Sequence, residues 1–255
     1  MKNLKEYIKE GLFDDIDNME NTNGLDNASK GFEQMDKEKI IEWICDNIKK
    51  IDKNKLEFDL STTPITVDYT GNIWFENHIT SLTNDLFQWG VIKGDFKCYH
   101  CPSLKSLEGS PKEVRGDFYC SNCLSLKSLE GGPKEVGGDF DCHRCNNLTS
   151  LKGAPEKVGK DFDCDNCPSL KSLEGGPEEV GGSFYCSHCC LLTSLKGAPK
   201  EVDIDFWCND CYKLTSLKGA PKVIGGNFIC NNRGAQFTEE DVKKVSKVKG
   251  EINCI

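Results

Sequence analysis

Hydrophobic positions recur every 22 residues from residue 94 onward. Six copies follow one another without insertion, starting at residues 94, 116, 138, 160, 182 and 204, and a degenerate seventh starts at 226. A fixed period of this length predicts a solenoid, because each unit can bury its apolar side only by stacking on its neighbours. Residues 94–231 are therefore expected to form one continuous repeat domain.

Each unit orders its apolar residues in a way that predicts a strand followed by a returning arc. The Phe-x-Cys motif alternates with period two, so both residues are expected to face inward from a strand. The Leu-x-x-Leu motif further along is expected to line the returning arc, between flanking glycine turn signals. The apolar columns are Phe96, Phe118, Phe140, Phe162, Phe184, Phe206 and Phe228; Cys98 through Cys230; Leu104 through Leu214; and Leu107 through Leu217.

One unit, Phe140-Asp141-Cys142-His143-Arg144-Cys145-Asn146-Asn147-Leu148, resembles the strand segment of leucine-rich repeats. It is similar to the cysteine-type variant, in which Cys replaces the usual Asn. A Gly or Lys stands where the first Leu of that pattern would be, and Val136 lies one residue earlier. The resemblance implies an α/β repeat fold, namely a leucine-rich-repeat solenoid with a parallel β-sheet.

The segments on either side of the repeats are expected to cap the stack. Residues 37–93 show helical apolar spacing followed by strand-like alternation, which predicts a small α+β N-terminal cap. Residues 14–36 are rich in Asp, Asn, Gly and Glu and are interpreted as a linker. Residues 232–255 predict a helix–strand C-terminal cap, with Thr238 as the helix N-cap and a last strand at 250–255.

Six Cys-x-x-Cys pairs, one in each complete repeat, raise the question of metal binding. Two neighbouring pairs could supply the four thiolates of a structural zinc site. Stacked coils lie about 4.8 Å apart, however, so equivalent cysteines form continuous columns rather than isolated clusters. We favour a ladder of reduced, buried thiols over metal binding, disulfides or redox catalysis. The metal alternative would use Cys98, Cys101, Cys120, Cys123, Cys142, Cys145, Cys164, Cys167, Cys186, Cys189, Cys208 and Cys211.

The residues between and beside the inward-facing Phe and Cys side chains are expected to form an open, concave strand face. Repeat solenoids usually bind partners on such a face. Exposed Tyr and Trp beside carboxylates suit a basic or mixed protein surface. Alternatively, the Asp column along this face only supports turns and solubility. The candidate partner-binding residues are Tyr99, Tyr119, Asp139, Asp141, His143, Asp161, Asp163, Tyr185, Asp205 and Trp207.

Composition and charge restrict the classes of function. The formal net charge of −9 argues against non-specific nucleic-acid binding, which needs basic surface. No apolar run is long enough to cross a membrane, and the N-terminus lacks the apolar core of a secretory signal. No phosphate-binding loop and no GxSxG or HExxH motif is present. The sequence therefore predicts a non-enzymatic, non-secreted protein without a cofactor.

The first 13 residues differ from the repeats and predict a short amphipathic helix. The stretch from Met1 to Gly11 also resembles the capsid-targeting peptides of internal proteins in T-even-type phages, which finish at a Leu/Ile-x-Glu cleavage site. The matching residues here are Ile8 and Glu10, with cleavage before Gly11. The resemblance implies that residues 1–13 include a propeptide and that the mature protein is packaged in a virion.

These features predict a scaffold that recognises a protein partner through the concave face, as a monomer in the host cytoplasm or packaged in a phage virion. Two other functions remain open. A metal-thiolate protein would be identified by its metal content, and a structural virion component by its copy number in particles. The sequence does not specify the partner.

Overall fold

The structure is a computed structural model that describes residues 22–231 and 237–254, apart from the side chains of residues 22–30, 32 and 33. Its repeat region is a β-solenoid, as the 22-residue period predicts. Each complete repeat contributes one short strand to each of two separate sheets, in which the repeat strands are parallel, and the described helices lie outside the repeats. The expected propeptide, with its residues Ile8, Glu10 and Gly11, lies outside the described residues.

The nine-stranded sheet is built from the Phe-x-Cys segments that the sequence predicts to be strands. Neighbouring strands pair in parallel and in register, so each Phe lies opposite the Phe of the next coil. With strands numbered in chain order, the sheet contains Ile73–Trp74 (β3), Phe96–Lys97 (β5), Phe118–Tyr119 (β7), Phe140–Asp141 (β9), Phe162–Asp163 (β11), Phe184–Tyr185 (β13), Phe206–Trp207 (β15), Phe228–Ile229 (β17) and Ile252–Asn253 (β19).

The ten-stranded sheet lies just before the Gly-Gly turns and is not evident from the hydrophobic pattern. Its repeat strands are dipeptides with one buried Val or Ile, too short to show an alternation. The first two strands are antiparallel and the others parallel. In spatial order they are Leu56–Asp59 (β1), Ile65–Tyr69 (β2), Phe87–Ile92 (β4), Glu113–Val114 (β6), Glu135–Val136 (β8), Lys157–Val158 (β10), Glu179–Val180 (β12), Glu201–Val202 (β14), Val223–Ile224 (β16) and Lys247–Val248 (β18).

The predicted Phe column forms a continuous stack inside the solenoid. Adjacent ring centroids from Phe96 to Phe228 lie 5.1–5.5 Å apart, and the rings from Phe96 to Phe206 are within 10° of parallel. These rings have no solvent exposure, and neither do the cysteines of the Cys98 to Cys230 column. Burying one such ring contributes roughly 1.5–3 kcal/mol, so each coil depends on the coils above and below it.

A tight turn between the two cysteines of each pair starts the returning arc. The residue before the second Cys has a positive φ of 50–58° in all six complete repeats. Residues other than Gly, Asn and Asp adopt this left-handed conformation at a cost. The residues at this position are His100, Asn122, Arg144, Asn166, His188 and Asp210.

The N-terminal helix is longer than the hydrophobic spacing predicts. It spans Thr22–Asn47 (α1), so the linker interpretation of residues 14–36 is wrong for residues 22–36. In its second half Ile40 and Ile44 are fully buried. Because extending a helix is much easier than nucleating one, this anchored half allows the polar residues before it to stay helical.

Solenoid pairing begins before residue 94, inside the predicted N-terminal cap. A 3₁₀ turn at Lys53–Lys55 leads into β1 and β2, after which β3 and β4 pair with the first strands of the repeats. Ile73 lies opposite Phe96, a separation of 23 residues rather than 22. This shift hides the first coil from a search for the 22-residue period.

The C-terminal cap agrees with its prediction. A helix at Glu239–Val245 (α2) starts at Thr238, whose hydroxyl accepts a hydrogen bond from the Asp241 N–H, while the Asp241 carboxylate accepts one from the Thr238 N–H. This capping box satisfies amides that the first helical turn leaves free. Strands β18 and β19 then extend the two sheets. Neither described helix is long and apolar enough to cross a membrane.

Candidate functional site

The candidate site is the outer face, the solvent side of the nine-stranded sheet. Because alternate residues point inward, the residues between and beside Phe and Cys lie on this face. In-register pairing places equivalent residues side by side in three columns. The first column is Asp95, Asp117, Asp139, Asp161, Ser183, Asp205 and Asn227; the second is Trp74, Lys97, Tyr119, Asp141, Asp163, Tyr185, Trp207 and Ile229; the third is Tyr99, Ser121, His143, Asp165, Ser187 and Asn209.

The first column supports the backbone of the turns. Asp139 Oδ1 accepts a hydrogen bond from the Asp161 N–H at 3.1 Å, and Asp161 Oδ1 accepts one from the Ser183 N–H at 2.7 Å. Asp205 makes the same bond to the Asn227 N–H at 2.7 Å. Asp139, Asp161 and Asp205, all predicted to bind a partner, thus each tie their own coil to the next one.

The third column carries a second ladder toward the C-terminal half. Asp165 Oδ1 accepts a hydrogen bond from the Ser187 N–H of the next coil, and Ser187 Oγ accepts one from the Asn209 N–H at 3.3 Å. Asn209 Oδ1 continues the ladder to the Asn231 N–H at 2.8 Å. The outer face is therefore fixed by side-chain bonds along both of its margins.

Four side chains form an acidic centre in the middle of the outer face: Asp141, His143, Asp163 and Asp165. Potential ligand atoms of the first three lie within 4.8 Å of one another, the one such group in the described parts of the chain. His143 Nδ1 is 2.7 Å from Asp141 Oδ1. Burial raises the pKa of Asp163 to about 6 and that of Asp165 to about 7, with repulsion from neighbouring carboxylates adding to both shifts. The centre would therefore be stabilised by a nearby positive charge.

An aromatic group lies at the N-terminal end of the outer face. Trp74 is 41% exposed, and its ring centroid is 5.7 Å from that of Tyr99. The Lys97 ammonium lies 5.2 Å from the Tyr119 ring centroid, and Lys49 places its ammonium 4.5 Å from the Trp74 ring centroid. Cation–π contacts of this kind hold the rings in place while leaving apolar surface exposed.

A second aromatic pair lies on the other side of the acidic centre. Tyr185 and Trp207 stack with ring centroids 6.1 Å apart, and both side chains are half-buried. The Trp207 indole Nε1 is buried without a hydrogen-bond partner among the described residues. The pair therefore presents a mainly apolar surface to solvent.

All ten predicted binding residues lie on the outer face, but they belong to different groups. Tyr99 and Tyr119 join the first aromatic group, and Tyr185 with Trp207 forms the second. Asp141, His143 and Asp163 form the acidic centre, whereas the remaining three carboxylates support turns. Sequence reasoning missed Trp74, which precedes the recognisable repeats, and Asp165, which lies in a column otherwise poor in acids.

The predicted cysteine ladder is present inside the solenoid. From the second repeat on, the second Cys of each pair donates its thiol to the carbonyl of the first Cys in the preceding coil, as Cys123 does to Cys98 at 3.1 Å. The same bond recurs from Cys145, Cys167, Cys189 and Cys211 at 3.1–3.4 Å. In the first repeat, Cys101 donates instead to the Glu76 and Tyr99 carbonyls. Burial raises the pKa of thiols such as Cys142 well above the ordinary value, which favours the protonated form. Among the described residues, the sulfur atoms form no group of three or more ligands within 4.8 Å, so this geometry does not assemble a zinc tetrahedron.

Comparison with protein-family models, with curated proteins and with solved structures found no match for the chain.

Proposed function

We propose that this protein is a non-enzymatic recognition scaffold that binds a protein partner on the outer face. The observation that carries the proposal is the order of groups along one sheet: an aromatic group, the acidic centre, and a second aromatic pair. Buried Tyr and Trp side chains provide much of the energy at protein interfaces. Carboxylates between them add charge complementarity and orientation.

The rigidity of the outer face supports this proposal. Each strand contributes only two residues, yet every coil is tied to the next by backbone bonds and by side chains of the first column, most of them Asp. A surface that is ordered before binding loses little conformational entropy when a partner docks. The two aromatic groups are therefore held at a fixed separation, about 14 Å for the three coils from Tyr119 to Tyr185 at about 4.8 Å per coil.

A partner with a basic patch fits this surface best. Lys or Arg side chains placed over Asp141, Asp163 and Asp165 would supply the positive charge that the acidic centre lacks. Apolar or cationic groups on either side would meet the aromatic rings. A chain of net charge −9 would also attract such a partner from a distance.

Pull-down from host lysate tests the proposal. We expect wild-type protein to retain a partner and the double variant Tyr185→Ala/Trp207→Ala to recover at least tenfold less of that partner. Loss of two aromatic contacts removes about 2 kcal/mol or more of binding free energy. Tyr212→Ala is the matched control, since Tyr212 is 48% exposed but outside the three columns. Equal recovery of every partner by wild type and the double variant would contradict the proposal.

The resemblances of the first residues and of the repeats support a biological setting for this scaffold. We infer a phage-encoded, cysteine-type leucine-rich-repeat protein that loses residues 1–10 and is packaged in the virion. It would then act as a monomer in the host cytoplasm, in a host-interaction role. Mass spectrometry of virions should find a chain that begins at Gly11; a packaged chain that still begins at Met1 would contradict the processing step.

A further inference from the structure

We propose that Cys230 and Cys254 form a redox modification site, at which a reversible disulfide ties β19 to the end of the solenoid. The two Sγ atoms are 2.7 Å apart. This contact lies at the C-terminal end of the inner cysteine column, between the last two described strands of the nine-stranded sheet. It is independent of the outer face and of the proposed partner.

The pairing of β17 with β19 brings the two thiols together. Ile252 lies opposite Phe228 and Asn253 opposite Ile229, so the next inward position places Cys254 beside Cys230. The Cys230 N–H donates to the Asn253 carbonyl at 2.8 Å, which holds the two strands in this register. Neighbouring strands lie about 4.8 Å apart, within the Cα separation that a disulfide bridges.

Access to solvent distinguishes this pair from the rest of the ladder. Thirteen of the sixteen cysteines are buried; Cys45 is exposed, and Cys190 and Cys254 are half-exposed. Of these three accessible thiols, Cys254 is the one whose sulfur contacts another thiol in the described structure, since Cys190 donates to the His188 carbonyl. An oxidant in solution can therefore reach a thiol pair only at this end of the column.

A low-molecular-weight disulfide such as oxidised glutathione is the class of oxidant that suits the site. The Cys254 thiolate attacks one sulfur of that disulfide, forms a mixed disulfide and releases one small thiol. The Cys230 thiolate then attacks the Cys254 sulfur and releases the second small thiol. The two protein thiols lose two hydrogen atoms in total, and the oxidant is reduced to two thiols.

The disulfide would close the C-terminal cap onto the repeats. The chain between the two cysteines includes α2 and β18, so one covalent bond would fix both cap strands at once. Burial raises the pKa of the Cys254 thiol, so little thiolate is present at neutral pH and oxidation should accelerate as the pH rises.

Incubation of the reduced, full-length protein with oxidised glutathione tests the site. Intact mass should fall by two hydrogen atoms, peptide mapping should join Cys230 to Cys254, and the melting temperature should rise by about 5 °C or more. A small dithiol should reverse all three changes. Absence of the internal disulfide, or a crosslink mapped to Cys208 and Cys230, would overturn the proposal.

Three variants separate the site from general thiol oxidation. Cys254→Ser should lose the mass change and the thermal shift, and it changes a half-exposed residue, so folding should persist. Cys190→Ser, at another half-exposed thiol, should behave as wild type. Cys230→Ser should accumulate one glutathione on Cys254, because the thiol that resolves the mixed disulfide is missing. A wild-type chain that accumulates stable glutathione on Cys254 would show that Cys230 does not resolve it.

Discussion

The interior and the outer face of the same coils obey different constraints. Phe184 and Tyr185 are adjacent in one strand, yet Phe184 stacks between two other Phe rings while Tyr185 lies half-buried on the surface. The interior is uniform because each side chain packs on its equivalents in both neighbouring coils. The outer face varies because its side chains need only leave the backbone ladder intact. Variation on a uniform framework is therefore where recognition is expected.

Removing an interior ring should have the largest effect. Phe184→Ala is expected to lower the free energy of unfolding by about 3–5 kcal/mol, because it opens a cavity that both neighbouring coils line. Tyr185→Ala, one residue away, should lower it by about 1 kcal/mol or less. Urea unfolding of the two variants checks the contrast. Equal losses would mean that the two surfaces are not energetically distinct.

The acidic centre should make stability depend on pH. The pKa of Asp165 is about 7 in the folded chain against an ordinary value of 3.8, and that of Asp163 is about 6. The folded state therefore binds more protons than the unfolded state between these values. These two carboxyls should make the free energy of unfolding fall as the pH rises from about 4 to 7, and then level off.

The variant Asp165→Asn sharpens this expectation. It keeps an oxygen to accept the Ser187 N–H but removes the charge. At pH 7 it should raise the free energy of unfolding by about 1–2 kcal/mol and flatten part of the pH dependence. Asp95→Asn, on the same face but outside the acidic centre, is the control. Urea titrations at several pH values measure the free energy of unfolding of both variants and of wild type. A free energy of unfolding that rises from pH 4 to 7 in wild type but not in Asp165→Asn would contradict the expected sign.

Substitutions in the turn between the paired cysteines should change the free energy of unfolding least. Arg144 has a φ of 56°, and Asn adopts this conformation more easily than Arg. Arg144→Asn should therefore raise the free energy of unfolding by about 0.5–1 kcal/mol. Asn166→Arg, at the equivalent position of the next coil, should lower it by a similar amount. Thermal melts of the two variants test this expectation. Melting temperatures that shift in the same direction in both variants would mean that another contact determines the residue preference at these positions.

The repeat architecture was predictable because one period aligns many weak signals. The Phe and Cys columns, the inward thiols and the cap that begins at Thr238 all follow from spacing and capping chemistry. The repeat strands of the ten-stranded sheet were not predicted, because a two-residue strand with a single Val shows no alternation, although that Val or Ile recurs with the 22-residue period. Residues 22–36 were mistaken for a linker because polar composition alone does not reveal a helix that is anchored further along the chain.

The candidate site was predictable as a face but not as separate groups. Alternation places Tyr119, Tyr185 and Trp207 on the outer face. It does not reveal which Asp carboxylates bond the backbone, since that depends on the side-chain geometry of adjacent coils. Nor does it show that Asp163 and Asp165, linked by a hydrogen bond from the Asp165 N–H to Asp163 Oδ1, have raised pKa values, since burial of these carboxyls depends on how adjacent coils pack.

In-register pairing also makes the number of units adjustable. Each junction between complete repeats joins Phe to Phe and Val to Val or Ile, so removing residues 160–181 would recreate a junction of the same kind between β9 and β13. The shortened chain would place Asp141 directly beside Tyr185 and reduce the distance between the two aromatic groups by one step. The distance between the two aromatic groups that the protein presents to a partner can thus change in steps of one coil, while the N-terminal and C-terminal caps stay the same.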